Sequence, residues 1–211
     1  MGGAIGRRAM GDRLRVPATR SVLLRLRKHR RTLVGAADLL ERKRRLLARQ
    51  SLELLPQWQR EHHEAFASLT AAYASFGRTR MRSTTDELRQ IVGGMSPMLS
   101  VRVDRRPVAG VTTYDVVVES VPLRPRFGLL GSTAELDQTI VSLRDAAGSL
   151  ARLAGAEETL RSLTRALEKT SRQVRILRDH LIPAHDATIR QIEDSLDEQE
   201  RSYLFQLKRI R

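Results

Sequence analysis

Histidines and carboxylates are the residues through which this chain could bind a metal or catalyse a reaction. His62 and His63 are adjacent and flanked by glutamates. Neighbouring helical residues point about 100° apart, so these two imidazoles cannot chelate one ion as residues i and i+4 do. His180 and His185 lie five residues apart, which is an equally weak spacing. We expect surface histidines rather than metal ligands.

Cysteine and nucleotide-binding loops are missing from the sequence. The chain contains no cysteine, which excludes disulfides, thiolate metal sites and cysteine nucleophiles. No Gly-x4-Gly-Lys-Ser/Thr loop is present, so the backbone cradle that holds nucleotide phosphates is absent too. We therefore expect a non-catalytic protein that needs no cofactor and no metal.

Positive charge is concentrated near the start of the chain. The 211 residues include 38 Lys+Arg and 24 Asp+Glu, a net charge of +14. Residues 1–60 hold 16 of the basic and 4 of the acidic side chains, whereas basic and acidic side chains balance in residues 131–211. This distribution predicts an acidic partner for the first arm.

Glycine and proline divide the sequence into four parts. Half of the twenty glycines and prolines lie in residues 77–131, and the stretches on either side contain very few. The pattern predicts a basic, disordered extension over residues 1–16, a helix over 17–76, a small central module over 77–131 and a second helix over 132–211.

The first arm carries a leucine repeat typical of a coiled coil. Its leucines recur every seven residues, a spacing that keeps them on one side of a helix. Past Pro56 we expect the apolar phase to move, because proline removes a backbone donor and the large apolar residues change position. The repeat comprises Leu26, Leu33, Leu40, Leu47 and Leu54, and the shifted phase comprises Phe66, Leu69, Tyr73 and Phe76.

The second arm is also apolar at intervals of three and four residues, from Leu136 to Ile210. At about 1.5 Å per residue the two helices would be roughly 90 and 120 Å long. A 24 kDa globule cannot contain them. The predicted fold is therefore mainly α: a long antiparallel two-helix coiled coil formed by the N- and C-terminal arms.

A short β-hairpin is predicted in the central module. Leu99–Val103 and Val111–Val121 are rich in β-branched residues with a period of two, and the stretch between them favours a turn. An isolated hairpin is marginally stable in water, so we expect it to pack on the helices or on a partner.

Both ends of the sequence resemble the D subunit of V-type and A-type rotary ATPases and ATP synthases. The opening Pro17-Ala18-Thr19-Arg20 is similar to that family's Pro-Thr-Arg/Lys start, with one residue inserted. The C-terminal resemblance is more specific. It comprises Glu168-Lys169-Thr170-x-Arg172-x-Val174, then Ile182-Pro183, and finally Glu200-Arg201-x-x-x-Phe205-x-Leu207-Lys208-Arg209-Ile210.

The resemblance implies a central-stalk rotor shaft in a proton- or sodium-translocating complex, peripheral on the cytoplasmic face of the membrane. Implied partners are the catalytic A and nucleotide-binding B subunits, the F subunit of the stalk and the funnel-shaped subunit on the membrane rotor ring. We expect no nucleic acid and no direct membrane insertion, since no apolar run reaches the roughly 20 residues of a span.

Three sets of residues would perform this role. A basic face would meet the hexamer of A and B subunits, an apolar seam would join the arms, and the hairpin would contact stalk subunits. The basic face is Arg25, Arg27, Lys28, Arg42 and Arg45; the seam is Leu26, Leu33, Leu40 and Leu47 against Val174, Leu177, Leu196, Tyr203 and Ile210; the hairpin contact is Val101, Val103, Val116 and Val118.

A basic coiled-coil nucleic-acid-binding protein is the alternative interpretation. Basic-zipper proteins place a basic helix in the major groove ahead of a dimerising leucine repeat. Here the basic residues continue through the repeat instead of preceding it, and an 80-residue electrically neutral second arm would have no role. We therefore favour the shaft.

Overall fold

The fold is mainly α, as predicted, with one β-hairpin. The computed structural model describes residues 16–122 and 134–209; the predicted basic extension, apart from Val16, and the seam residue Ile210 lie outside these ranges. In chain order the elements are α1 (Arg20–Arg82), α2 (Thr85–Gly93), β1 (Leu99–Val108), β2 (Val111–Ser120), α3 (Ala134–Ile176), a π-helical segment (Leu177–Leu181) and α4 (Ile182–Arg209).

The chain divides into two compact units. The terminal unit contains the residues up to Leu46 together with those from Leu167 onward, and the central unit is Leu47–Ala166. Because α1 and α3 each contribute to both units, the predicted arms do not coincide with these units.

The buried side of α1 keeps a single heptad register throughout, and the predicted phase shift after Pro56 is wrong. Pro56 lies within the continuous 63-residue helix. Beyond it Ala65, Ala72 and Thr79 are buried at the heptad position of Leu23 and Ala37, while Ser68 and Ser75 continue the position of the leucine repeat. Small side chains occupy the seam there, so the large residues that suggested a new phase lie outside it.

In the terminal unit, α1 and α4 run antiparallel around an apolar cluster. Leu23 and Leu26 of α1 pack with Ile189 and Ile192 of α4. Burying side chains of this size contributes about 1.5–3 kcal/mol each. Three partly buried apolar residues pack against the same cluster: Ala18, Val22 and Leu196.

A π-helical segment interrupts the C-terminal arm immediately before Pro183. The amide of Ile182 donates to the carbonyl of Leu177, five residues earlier. Proline has no amide hydrogen to continue the α pattern, so a change of hydrogen bonding beside it is expected. His185 then donates from Nδ1 to the Leu181 carbonyl at 2.7 Å, which satisfies an acceptor in the altered turn.

In the central unit, α1 and α3 meet through paired hydroxyl groups. The oxygen atoms of Ser68 and Ser149 are 2.6 Å apart, and those of Thr79 and Thr139 are 2.8 Å apart. Each of these hydroxyls is also within donating distance of a backbone carbonyl of α1 or α3, so these buried polar groups are satisfied. Small residues permit close approach of the two helices.

The hairpin is longer than predicted. Leu99 pairs with Ser120 and Val108 with Val111 in an antiparallel ladder of ten residues per strand. The stretch before Val108 that was expected to be a turn is therefore part of β1. Only Ala109 and Gly110 form the turn, with φ of 52° and 75°, and two positive φ values match the right-handed twist of the strands.

Helix α2 begins with a capping box. The Thr84 hydroxyl accepts from the Glu87 amide, and the Glu87 carboxylate accepts from the Thr84 amide at 2.8 Å. The hydrogen bond that the carboxylate accepts from the Thr84 amide, and after it a hydrogen bond with the Thr84 side chain, lower the pKa of Glu87 below its usual value. The carboxylate form thus stabilises the start of α2.

Candidate interaction surfaces

The predicted basic face lies on the exposed side of α1. Arg25, Lys28, Arg42 and Arg45 are all exposed, and none forms an ion pair with any residue in the described ranges. Surface cations without carboxylate partners project positive potential into solvent. This side of α1 is therefore suited to an acidic surface.

Arg27 differs from the other predicted basic residues because it bridges two helices. Its Nη2 lies 2.6 Å from Oε1 of Glu193 on α4. Arg20 pairs in the same way with Glu200, and Arg30 with Asp186. Part of the basic charge is thus neutralised within the terminal unit.

The pair of Arg30 and Asp186 is joined by two nitrogen–oxygen contacts. Asp186 accepts from Nε and Nη2 of Arg30. That hydrogen bonding, together with the charge of the carboxylate, raises the pKa of Arg30 above its already high usual value. Both groups remain partly exposed to solvent, so the pair orients α4 on α1 more than it stabilises the fold.

The predicted seam residues differ in how deeply they are buried. Leu26, Leu47 and Val174 are buried, and Leu33, Leu40, Leu177 and Leu196 are half-buried. Leu26 and Leu196 share one cluster. Leu23, Ile189 and Ile192 also occupy apolar positions of the two arms in the sequence, and all three are buried in that cluster.

Tyr203 is not in the seam, and this expectation is corrected. Its side chain is 62% exposed, and every described residue from Arg201 onward is exposed. α1 starts at Arg20, which pairs with Glu200, so the last turns of α4 extend past the first residue of α1. No described residue of α1 lies there to cover Tyr203.

Two histidines meet inside the terminal unit. His185 is buried, and its Nε2 lies 3.3 Å from Nδ1 of His29, with the rings edge to face. Since Nδ1 of His185 donates to a carbonyl, Nε2 is left to accept from His29 in the neutral pair. The 156-residue separation hides this contact from any sequence motif.

The histidine pair considered in the sequence does not form a ligand cluster. His62 stacks between Trp58 and Phe66, with ring centroids at 5.2 and 4.5 Å, and His63 is exposed. The neighbouring Glu64 instead pairs with Arg152 at 2.9 Å. Within residues 16–122 and 134–209, no three potential metal ligands converge.

The hairpin is held on α3 through β2. A Cβ built on Gly155 would lie 2.3 Å from Cγ2 of Val116, so only glycine permits this approach. Thr159, one turn further on, accepts from the Tyr114 amide at 2.8 Å and donates to its carbonyl at 3.1 Å. Gly155 and Thr159 thus bind the free edge of β2.

The predicted hairpin residues consequently separate into two groups. Val116 and Val118 of β2 are half-buried and lie beside Gly155 and Gly148 of α3. Val101 and Val103 of β1 pair with them across the ladder but are 48% and 51% exposed. Residues 101 and 103 therefore present an uncovered apolar strip on the hairpin.

Comparison with known proteins identifies the family. The family model for the D subunit of ATP synthase matches residues 22–211. The chain belongs to the ATP synthase D-subunit family. The match includes both long helical arms and the hairpin, so the family assignment applies to the whole described architecture.

Relatives within the D-subunit family cover nearly the whole chain. The V-type ATP synthase D subunit of Thermotoga neapolitana is 28% identical, covering 93% of this chain and 97% of the relative. That of Clostridioides difficile is 30% identical, covering 94% and 91%. The A-type ATP synthase D subunit of Pyrococcus horikoshii is 28% identical, covering 96% of each.

Membrane contact through a spanning helix is not seen in the structure of this family member. Among the described residues, no helix combines the length and the apolar character required to cross a bilayer.

Proposed function

We propose that this chain is the central rotor shaft of a V/A-type ATP synthase or ATPase that translocates protons or sodium. It would transmit torque between the membrane ring and the catalytic hexamer of A and B subunits without catalysing a reaction itself. The observation that carries the proposal is the 63-residue helix α1, paired antiparallel with the C-terminal arm and basic on its exposed side.

Stiffness is the first property that torque transmission requires, and the seams provide it. Apolar packing joins α1 to α4 in the terminal unit, and three cross-helix ion pairs reinforce it. Paired hydroxyls join α1 to α3 in the central unit. Interdigitated helices resist twisting because each side chain is confined by its neighbours.

Asymmetry is the second property that torque transmission requires, and it comes from the difference between the two arms. The exposed side of α1 is basic near its start, whereas α4 carries an acidic run from Glu193 to Glu200. A shaft with different sides makes different contacts with each catalytic site as it turns. Contacts that differ between the open and closed states of a catalytic site shift the equilibrium between those states.

Arg25, Lys28, Arg42 and Arg45 are proposed to meet acidic groups that line the hexamer. Arg27 would serve mainly to bind α4, because Glu193 already neutralises it. Val101 and Val103 are proposed to contact the F subunit of the stalk or the funnel-shaped subunit, since Val116 and Val118 are occupied by α3. The chain would be peripheral, on the cytoplasmic face of the membrane.

Charge reversal tests the basic face. Arg25→Glu with Arg42→Glu should leave helicity unchanged and reduce the ion movement achieved per ATP hydrolysed in the assembled complex. The control is Arg89→Glu with Arg165→Glu, a reversal of equal size at exposed residues outside the face. Fully coupled hydrolysis in both double variants would refute the proposed role of the face.

The salt dependence of binding distinguishes the proposed function from nucleic-acid binding. A protein that neutralises six to ten phosphates loses about 10³–10⁵ in affinity between 50 and 200 mM salt. We expect the chain to remain in its protein complex over that range. Retention of duplex DNA in place of the A and B subunits would support the alternative.

A further inference from the structure

Two histidines from opposite arms of the chain meet in the terminal unit through their ring nitrogens. Nε2 of His185 on α4 and Nδ1 of His29 on α1 are 3.3 Å apart, and the ring centroids are 5.1 Å apart. Histidine is the commonest metal ligand in proteins, and it binds through a ring nitrogen that carries no hydrogen. The pair therefore supplies two donor atoms suited to a transition-metal ion.

The distance between the two nitrogens matches that between two ligands of one zinc ion. Zinc binds imidazole nitrogen at about 2.0–2.1 Å in tetrahedral geometry, so two such nitrogens lie about 3.3–3.4 Å apart. The 3.3 Å between His29 and His185 lies in this range. No movement of α1 relative to α4 is needed to place an ion between them.

The distance between the ring centres agrees with the same geometry. Each ring centre lies about 1.15 Å behind its nitrogen, so a tetrahedral zinc ion would place the two centres about 5.1–5.3 Å apart. A straight N–H···N hydrogen bond between nitrogens 3.3 Å apart would place the centres about 5.6 Å apart. The observed 5.1 Å agrees with rings that converge on a point beside the line joining their nitrogens.

His185 is held in the tautomer that metal binding requires. Its Nδ1 donates to the carbonyl of Leu181 at 2.7 Å, which leaves Nε2 of the neutral ring without a hydrogen. Metal-binding histidines almost always donate their other ring N–H in this way, to a carboxylate, a backbone carbonyl or water. The ring is also buried, so the surrounding side chains restrict its rotation.

Solvent reaches the pair from the side of His29. That residue is exposed, so an ion bound between the rings has an entry path and water can fill its remaining coordination positions. Arg30 follows His29 in the sequence and Asp186 follows His185, and these two side chains form an ion pair. The positive charge of Arg30 is thus offset beside the histidines.

We propose that His29 and His185 bind one zinc ion that joins α1 to α4, with water in the other coordination positions. Imidazole nitrogen suits zinc, whereas Mg²⁺ and Ca²⁺ prefer oxygen ligands. Among the residues that the structure describes, no third potential ligand converges with the pair. The ion would strengthen the pairing of the two arms and take no part in a reaction. The inference does not depend on the proposed rotor function.

Zinc titration of the full chain tests the site. The chain would be purified without a polyhistidine tag and treated with a chelator before zinc chloride is added. His29→Gln removes one of the two donor nitrogens at an exposed position, and His185→Asn removes the other while keeping an amide donor near the place of Nδ1. His63→Gln is the matched control, because His63 is an exposed histidine of α1 outside the pair.

We expect calorimetric titration to show zinc binding by the unchanged chain that His63→Gln leaves intact. A zinc concentration about 100 times the dissociation constant should raise the Tm by about 5–10 °C, because the ion binds the folded chain in preference. His29→Gln and His185→Asn should each weaken zinc binding about tenfold or more and reduce the Tm shift at the same zinc concentration by about half or more. Magnesium chloride at the same concentration should leave the Tm unchanged.

Absence of saturable zinc binding to the unchanged chain would overturn the proposal. So would an undiminished zinc affinity in His29→Gln, or an equal rise of the Tm with magnesium. Because His29 is exposed, His29→Gln decides the matter even where His185→Asn fails to fold.

Discussion

Gly155 permits the contact between the hairpin and α3, and Gly155→Ala tests this contact directly. The added methyl carbon would lie 2.3 Å from Cγ2 and 3.1 Å from Cβ of Val116. Carbon atoms in contact are normally about 3.5–4.0 Å apart. Valine is branched at Cβ and has little rotamer freedom, so β2 must move away from the helix.

The magnitude follows from two opposing effects. Alanine in a helix interior is favoured over glycine by about 1 kcal/mol, whereas forcing an extra carbon into a filled site costs about 1–3 kcal/mol. Gly77→Ala is the matched control, because a Cβ on Gly77 has nothing within 4 Å. It should gain the helix preference without the clash, so the two variants should differ by about 1–3 kcal/mol in free energy of unfolding.

Urea denaturation of the two variants measures this difference, and hydrogen exchange of the Tyr114 amide reports whether the hairpin has moved. The double variant Gly155→Ala with Val116→Ala should recover much of the loss, because it removes the clashing methyl groups. Equal stabilisation by Gly155→Ala and Gly77→Ala, with an unchanged Tyr114 amide, would refute the reasoning.

Three further changes probe other parts of the fold. Ala109→Gly should stabilise the protein by about 1 kcal/mol, seen as a higher Tm, because Ala109 has a φ of 52°; an unchanged or lower Tm would contradict this. Thr79→Val should lower the free energy of unfolding, measured by urea denaturation, by about 1 kcal/mol, because Thr139 keeps its bond to a backbone carbonyl. A loss above about 3 kcal/mol would mean that the paired hydroxyls form a tighter network than we describe. Because the pKa of Glu87 is lowered, its carboxylate stabilises α2 fully at pH values above the ordinary carboxyl pKa. This stabilisation is lost as the pH falls through the lowered pKa of Glu87. The Thr84 amide resonance should follow this titration, and the same titration in Glu87→Gln would show that another group causes it.

Two features of the fold were predictable from the sequence because their signals are local. The heptad leucines from Leu26 to Leu47 indicate a coiled-coil helix, and the valine-rich strands around Ala109 and Gly110 indicate a hairpin. Both signals depend on periodicity within a few turns of chain. The length of β1 was underestimated, because charged and proline residues before Val108 are typical of turns and are accommodated here on an exposed edge strand.

The predicted phase shift in α1 was wrong because it was based on the size of the apolar side chains. Phe66 and Tyr73 suggested a seam because large apolar residues usually lie inside, yet Ala65 and Ala72 occupy the seam and the aromatic rings face outward. The contact between His29 and His185 depends on chain pairing over a long separation. The need for glycine at residue 155 likewise becomes visible only when Val116 is placed against it.

Rotation of this chain against the catalytic subunits would test the central claim most directly. The chain has no cysteine, so Thr112→Cys on the exposed tip of the hairpin can carry a single biotin and a bead. With the catalytic hexamer fixed to a surface, a shaft predicts ATP-driven rotation of the bead in one direction. A bead that stays stationary while the same complexes hydrolyse ATP would contradict the account.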